Sequence, residues 1–108
     1  MNLLVTQSND FTIVSVDGRI DTTNANEFEK PMVELIEGGT HKIILDCSDL
    51  NYISSAGLRV FIIIQKKIIA VQGEFKLVNL QPAIQEIFDI SGFSSIFKVF
   101  PDLDKATE

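Results

Sequence analysis

The stretch HKIILDCSDLNYISSAGLRVFIIIQKKIIAVQGEFKLVNL, residues 41–80, decides the fold of this chain. Its first apolar run predicts a strand that ends at Asp46 and is covered on both faces, and EFKLVNL predicts a second strand. The residues between them, Cys47 to Gly73, suffice for a crossover helix that joins two parallel strands. Three consecutive isoleucines, Ile62–Ile64, would favour a strand by themselves. The length of the segment and the glycine at its end nevertheless predict a helix.

The residues before this stretch predict a hairpin and a helix. LLVTQ and FTIVSVDG read as two strands around a polar turn, Ser8 to Asp10, and GRID, residues 18–21, is expected to leave the sheet. A helix over residues 22–40 can be capped by Thr23 or Asn24. Pro31 in its middle removes one backbone hydrogen bond. We therefore expect a kink there, or a helix that begins at Pro31.

The residues after the stretch complete the element order. QPAIQEIFDISG, residues 81–92, predicts a helix with Pro82 in its first turn and Gly92 at its end. SIFKVF predicts a last short strand, and residues 101–108 a final helical turn or a frayed acidic tail. The order predicts one α/β domain over residues 1–108, with a mixed β-sheet of about five strands and helices packed mainly on one face.

The charge and cysteine content narrow the function. Nine Lys and Arg stand against 15 Asp and Glu, a formal net charge of −6, whereas phosphate binding depends on clustered cations. The sequence therefore argues against a nucleic-acid-binding or anionic-membrane-binding surface. The most hydrophobic segment carries Arg59, Lys66 and Lys67, which indicates a buried element rather than a membrane-spanning helix. The single cysteine, Cys47, permits no intramolecular disulfide, so we expect a cytoplasmic protein.

The serine pair Ser54-Ser55 directly precedes the apolar helix, and three interpretations compete. Either serine can cap the helix N-terminus. A hydrolase nucleophile would need a nearby base, but the only histidine, His41, is expected about 16 Å away at the opposite end of a strand. A phosphorylated serine would meet the favourable helix dipole and free N–H groups. Ala56 and Gly57 would then leave the helix start bare for a partner. These residues argue against the nucleophile and leave capping and phosphorylation open.

Three motifs occur in order along the chain: Gly18-Arg19-Ile20-Asp21, then Asp46-x-Ser48 with Ser55-Ala56-Gly57-Leu58, then Pro82 with Phe88-Asp89-x-x-Gly92. With them the chain resembles the STAS-domain family over about residues 3–100, specifically the bacterial anti-sigma factor antagonists. The resemblance implies the STAS fold and a regulatory binding protein rather than an enzyme.

The resemblance also implies partner switching. The unphosphorylated antagonist would bind an anti-sigma factor that is also a serine kinase with a histidine-kinase-like ATPase fold, and would thereby release the sigma factor. Phosphorylation would break this complex, and a PP2C-type phosphatase would restore it. ATP and the phosphatase metals belong to these partners, so the chain itself is expected to need no cofactor and to be a monomer or weak dimer. A constitutive scaffold or ligand-binding STAS domain, stressosome-like or transporter-associated, is the alternative.

Alignment on Gly57-Leu58 implies that Ser55 is the phosphoacceptor. The family usually has Asp at the preceding position, where this chain has Ser54, a second and less favoured acceptor. Asp21 and Asp46 match acidic positions that the family places near the acceptor loop, although helix or turn capping is an equal alternative for both. The resemblance thus implies these partner-binding residues: Asp21, Asp46, Ser54, Ala56, Gly57, Leu58 and Arg59.

Overall fold

The computed structural model describes residues 1–108 and contains the predicted elements in the predicted order. A single 3-10 turn, Phe93–Ser95, lies between the third helix and the last strand. The strands are β1 (Asn2–Ser8), β2 (Phe11–Ile20), β3 (Lys42–Ile53), β4 (Glu74–Val78) and β5 (Lys98–Phe100). The helices are α1 (Ala25–Glu37), α2 (Ser55–Ala70), α3 (Pro82–Ser91) and α4 (Leu103–Thr107).

The five strands form one mixed sheet in the order β1-β2-β3-β4-β5. Only β1 is antiparallel to its neighbour, because the tight turn after Ser8, with Asn9 at φ 54°, folds it back onto β2 as a hairpin. The other neighbouring pairs are parallel and are joined by crossover helices. The prediction of a mixed α/β sheet of about five strands is confirmed.

The main core lies between the sheet and helices α1, α2 and α3. Phe61 of α2 is fully buried at its centre and packs against four other rings, with ring centroids 5.7–6.5 Å apart. The central segment is a helix despite Ile62–Ile64, because α2 buries one stripe of side chains against the sheet. That stripe consists of Gly57, Val60, Phe61, Ile64 and Ile68. No helix is both long and apolar enough to cross a membrane.

The opposite face of the sheet carries a second, smaller cluster. Ile13, Ile44 and Val78 pack there with Ala106 of α4, and Ala106 is fully buried. Of the two expectations for the end of the chain, the helical turn is therefore confirmed: Leu103–Thr107 form a short helix that packs on the sheet. Three helices cover one face of the sheet, and a single five-residue helix covers part of the other.

Strands β2 and β3 extend further than the sequence indicated. The predicted loop that follows Asp46 is part of β3, which continues to Ile53, and β2 continues to Ile20 instead of ending before GRID. The expected ends of both strands are therefore wrong. The physical reason is that two register shifts interrupt the pairing of β2 with β3, one between Ser15 and Asp17 and one between Gly18 and Arg19. Extra residues at such bulges break the alternation of inward and outward side chains by which a strand is recognised.

Helix α1 runs without a break through Pro31. The expectation that the helix begins at Pro31 is wrong, since six helical residues precede it. Buried side chains on both sides of Pro31, Phe28 before it and Met32 and Ile36 after it, lie on one stripe against the core. Burial of this stripe offsets the backbone hydrogen bond that proline cannot donate.

Candidate functional site

The candidate site lies where β2 and β3 end side by side and α2 begins. Ile20 pairs with Ile53, and the Ser54 N–H donates to the Ile20 carbonyl at 2.9 Å, which carries the pairing one residue beyond the end of β3. Ser54 is extended, with φ −87° and ψ 172°, and its Oγ accepts from the Gly57 N–H at 3.2 Å. Of the two candidate caps, Ser54 is therefore the one that caps α2.

Ser55 is the first residue of α2 and differs from Ser54 in its surroundings. Its side chain is exposed and forms no hydrogen bond within the chain, whereas Ser54 is half-buried with its oxygen engaged. The first turn of α2 contains no acidic residue, so the positive end of the helix dipole is not compensated there. A hydroxyl that is both accessible and unengaged thus lies at a site that favours negative charge.

Gly57 lies on the inner side of α2. A Cβ added there would lie 2.8 Å from Ile20 Cγ2 and 2.8 Å from Ile53 Cγ1, so only glycine lets the helix approach the strand ends. The expectation that Gly57 leaves the helix surface bare for a partner is wrong, because the residue is buried against the sheet. Ala56 and Leu58 are half-buried at the margin of the main core, and Arg59 is exposed.

Asp21 follows directly after Ile20 and therefore lies beside Ser54. Its Oδ1 accepts from the Thr23 N–H at 2.9 Å and the Thr23 hydroxyl at 2.5 Å, and its Oδ2 accepts from Arg19 Nε at 3.2 Å. The Thr23 donors, with a smaller contribution from Arg19, hold the pKa of Asp21 below its usual value. Asp21 thus remains ionised in a turn that it also caps.

The Asn24 side chain stabilises the turn between β2 and α1 and does not cap α1. Its Oδ1 accepts from the Asp21 N–H at 2.8 Å, and its Nδ2 donates to the Arg19 carbonyl at 2.9 Å. No side-chain hydrogen bond caps the first N–H groups of α1. The loop between β2 and α1 is therefore held next to Ser54 by its own side chains.

Asp46 lies away from the serines, contrary to expectation. Its register partner on β2, Ser15, is five residues before Ile20, which places Asp46 roughly 17 Å from the strand ends where Ser54 lies. Its Oδ1 accepts from the Ser48 N–H and from Asn79 Nδ2, both at 3.1 Å, so it ties β3 to the chain that leaves β4. The continuation of β3 to Ile53 separates Asp46 from the two serines, and the Asp46 carboxylate instead joins β3 to Asn79.

Two exposed side chains near the serines were not singled out from the sequence. The Arg19 guanidinium lies 4.7 Å from the ring centroid of Tyr52, its register partner on β3, and Tyr52 is 44% exposed. Arg19 belongs to the motif Gly18-Arg19-Ile20-Asp21, which was the available signal, but β2 was expected to end before it and instead continues to Ile20. Tyr52 gave no signal, because its position in a strand was missed.

His41 lies at the far end of the sheet from the serines. Its carbonyl accepts from the Glu74 N–H at 2.8 Å, directly before β3 and β4 begin. The parallel strands run from this edge to the edge where α2 starts. His41 therefore cannot act as a base for Ser54 or Ser55.

Comparison with known proteins agrees with this architecture. The family model of the STAS domain matches residues 2–106, and the chain belongs to that family. BtrV of Bordetella bronchiseptica, a candidate anti-sigma factor antagonist, is 38% identical over 99 residues, which cover 92% of this chain and 85% of BtrV. The anti-sigma-B factor antagonist of Bacillus subtilis is 31% identical over 99 residues, which cover 92% of this chain and 90% of the relative.

A solved structure has the same fold. The crystal structure of a candidate anti-sigma factor antagonist from Thermotoga maritima matches with a TM-score of 0.91 and 25% sequence identity. The match covers 97% of this chain and 91% of the Thermotoga chain. The mixed sheet with its crossover helices is thus the STAS fold.

Proposed function

We propose that this chain is an anti-sigma factor antagonist, a binding protein without catalytic activity, whose binding is controlled by phosphorylation of Ser55. Its likeness to named antagonists over nearly its whole length supports the class. The observation that carries the switch is the contrast between the two serines. The Ser54 hydroxyl is engaged as the cap of α2, whereas the Ser55 hydroxyl is exposed and unengaged.

The chemistry of the switch belongs to Ser55 and to its partners. In the proposed reaction a partner serine kinase with a histidine-kinase-like ATPase fold holds ATP. The Ser55 oxygen then bonds to the γ-phosphorus, the bond to ADP breaks, and the hydroxyl proton leaves with the kinase base. A PP2C-type phosphatase reverses the modification with water. This chain supplies only the hydroxyl and its surroundings, needs no cofactor, and acts in the cytoplasm as a monomer or weak dimer.

The proposed partner surface surrounds the start of α2. It includes Ser54, Ser55, the half-buried Ala56 and Leu58, the exposed Arg59, and the neighbouring Asp21. A phosphate adds about −1.5 to −2 charges in the middle of this surface. The main effect should fall on the bound partner through repulsion and desolvation, because Ser55 has no contacts in the core that a phosphate could break.

The test is phosphorylation by the cognate kinase, with the acceptor mapped by mass spectrometry. We expect phosphate on Ser55, none on the Ser55→Ala variant, and unchanged modification of Ser55 in the Ser54→Ala variant. The Ser55→Ala variant should still bind the kinase in the absence of ATP, whereas the Ser55→Glu variant should not. The proposal fails if neither serine is modified, or if Ser55→Glu binds as tightly as the wild type.

A further inference from the structure

Arg59 lies one helical turn beyond Ser55, and both side chains are exposed. Residues four apart share one helix face, with Cβ atoms about 5–6 Å apart. Because Cα–Cβ bonds tilt towards the helix N-terminus, the long Arg59 side chain leans over the turn that contains Ser55. The four ion pairs of the chain involve other cations, so no carboxylate of the chain occupies the Arg59 guanidinium.

The start of α2 also offers free hydrogen-bond donors. The Ser54 side chain and carbonyl accept from the Gly57 and Leu58 N–H groups, at 3.2 and 2.9 Å. The N–H groups of Ser55 and Ala56 precede these and have no intrahelical acceptor. Since the first turn contains no acidic residue, no carboxylate on the helix competes for these donors or repels an anion.

Of the two arginines near Ser55, only Arg59 is free to bind an anion, because the charged groups at the neighbouring strand ends are already paired. Asp21, the carboxylate beside Ser54, is occupied by the Thr23 donors and by Arg19. Arg19 in turn is held by Asp21 and by the ring of Tyr52. A phosphate on Ser55 would therefore lie on the same helix face as the unpaired Arg59 guanidinium. The nearby Asp21 carboxylate would repel it less, because Arg19 already compensates that charge.

We infer that a phosphate on Ser55 is bound within the molecule by the Arg59 guanidinium and the free N–H groups of the first turn of α2. This inference rests on the proposed phosphorylation of Ser55 and assigns Arg59 a role in that state. A guanidinium matches phosphate with two parallel hydrogen bonds, which a lysine cannot reproduce. Phosphorylation then removes Arg59 from the surface offered to a partner, in addition to placing negative charge there.

The experiment installs phosphoserine at position 55 by genetic encoding, so that no kinase is needed, and follows the 31P chemical shift against pH. The second pKa of a free phosphoserine is about 6. We expect the folded wild type to titrate below this value, since Arg59 favours the dianion. In Arg59→Gln the phosphate pKa should rise by about 0.15–0.4 units relative to wild type, and the value for Arg59→Lys should fall between the two.

Lys66→Gln is the matched control. Lys66 is exposed on the same side of α2 and its loss changes the net charge equally, but it lies about 16 Å from Ser55 along the helix axis. At 0.1 M salt this exceeds the Debye length of about 10 Å, so the phosphate pKa should change by about 0.1 units or less. Circular dichroism of both variants checks that the fold is kept.

A second measurement compares thermal unfolding with and without the phosphate. Phosphorylation should raise the Tm of the wild type, and this gain should shrink in Arg59→Gln but not in Lys66→Gln. The inference is overturned if Arg59→Gln and Lys66→Gln shift the phosphate pKa equally, or if the gain in Tm does not depend on Arg59. A kinase that leaves Ser55 unmodified would contradict only the proposed function, because the phosphate here is installed without one.

Discussion

At the residue scale, the adjacent serines Ser54 and Ser55 have different roles. Ser54 satisfies the Gly57 N–H and so begins the helix, while Ser55 keeps its hydroxyl free on the surface. An Asp at position 54 would cap the helix equally well but would place a negative charge beside any phosphate on Ser55. A neutral cap therefore suits an anion at the next residue better, and Arg59 is left without a competing acid.

The contact between α2 and the strand ends depends on the absence of a side chain at Gly57. In Gly57→Ala the new methyl group would lie 2.8 Å from side-chain atoms of Ile20 and Ile53, both of which are buried. Overpacking costs about 1–3 kcal/mol, and the better helix propensity of alanine returns up to about 1 kcal/mol. We expect a net loss of about 1–2 kcal/mol in urea unfolding.

Ser55→Ala is the control for that prediction, because it lies in the same turn of α2 but on the exposed side. Its stability should lie within about 0.5 kcal/mol of the wild type. Equal stability of Gly57→Ala and Ser55→Ala would contradict the close contact between helix and strands.

The lowered pKa of Asp21 predicts a pH-dependent contribution to stability. A carboxyl whose pKa is lower in the folded than in the unfolded state stabilises the fold above its unfolded pKa of about 3.9, and this stabilisation is lost as the pH falls through the folded pKa. Asp21→Asn should therefore be less stable than the wild type at pH 7. The difference should shrink below about pH 4 as the wild-type carboxyl becomes protonated.

Denaturant unfolding at several pH values measures this difference. Thr23→Ala removes the hydroxyl that contributes most to the shift while leaving the backbone donor, so in that background the effect of Asp21→Asn should be smaller. A difference between Asp21→Asn and wild type that does not change with pH would show that the charge of Asp21 is not what stabilises the turn.

At the element scale, the sequence predicted which elements form better than where they end. The hairpin, the crossover helix and the Gly92 terminus follow from local patterns that the structure keeps. The extension of β3 to Ile53 could not be predicted, because its buried residues Cys47, Leu50 and Ile53 recur every third position across the bulges. Because β3 was expected to end at Asp46, Asp46 was expected near the serines, and Tyr52 was not recognised as a strand residue that pairs with Arg19. Burial of Gly57 depends on tertiary packing, which no local pattern encodes.

Helix α4 is too short to be stable alone, and Lys76 of β4 holds it on the sheet. Lys76 Nζ donates to the Ala106 carbonyl at 2.6 Å and lies 4.8 and 5.2 Å from the ring centroids of Phe11 and Phe100. Its side chain is only 12% exposed. Lys76→Met should keep the packing but lose these polar contacts, which lowers stability by about 1–2 kcal/mol.

Hydrogen exchange at residues 103–107 should report this change, with faster exchange in Lys76→Met. Lys42→Met is the control, since Lys42 also lies 3.8 Å from Glu74 but is exposed and forms no hydrogen bond to α4. Unchanged protection of α4 in Lys76→Met would mean that the apolar contacts of Ala106 and Leu103 suffice to hold the helix.

At the scale of the whole molecule, the two hydrophobic clusters are coupled because they share strands. Ile13 and Val14 are neighbours on β2, yet the first faces α4 and the second faces the main core, and Ile44 and Leu45 repeat this on β3. A strand cannot lose the packing on one face and keep the pairing that supports the other. The candidate site, where β2 and β3 end side by side and α2 begins, therefore depends on both clusters.

This coupling predicts one cooperative unfolding transition for the entire chain. Calorimetry should give a single peak whose enthalpy, about 75 kcal/mol near 60 °C for a chain of this length, equals the van't Hoff value. The five residues of α4 can fray before the transition without a separate peak, because their enthalpy is a small part of the total. Two peaks, or a van't Hoff enthalpy well below the calorimetric one, would mean that the clusters unfold independently. In that case α4 and its cluster would be a separate unit attached to a self-sufficient three-helix layer.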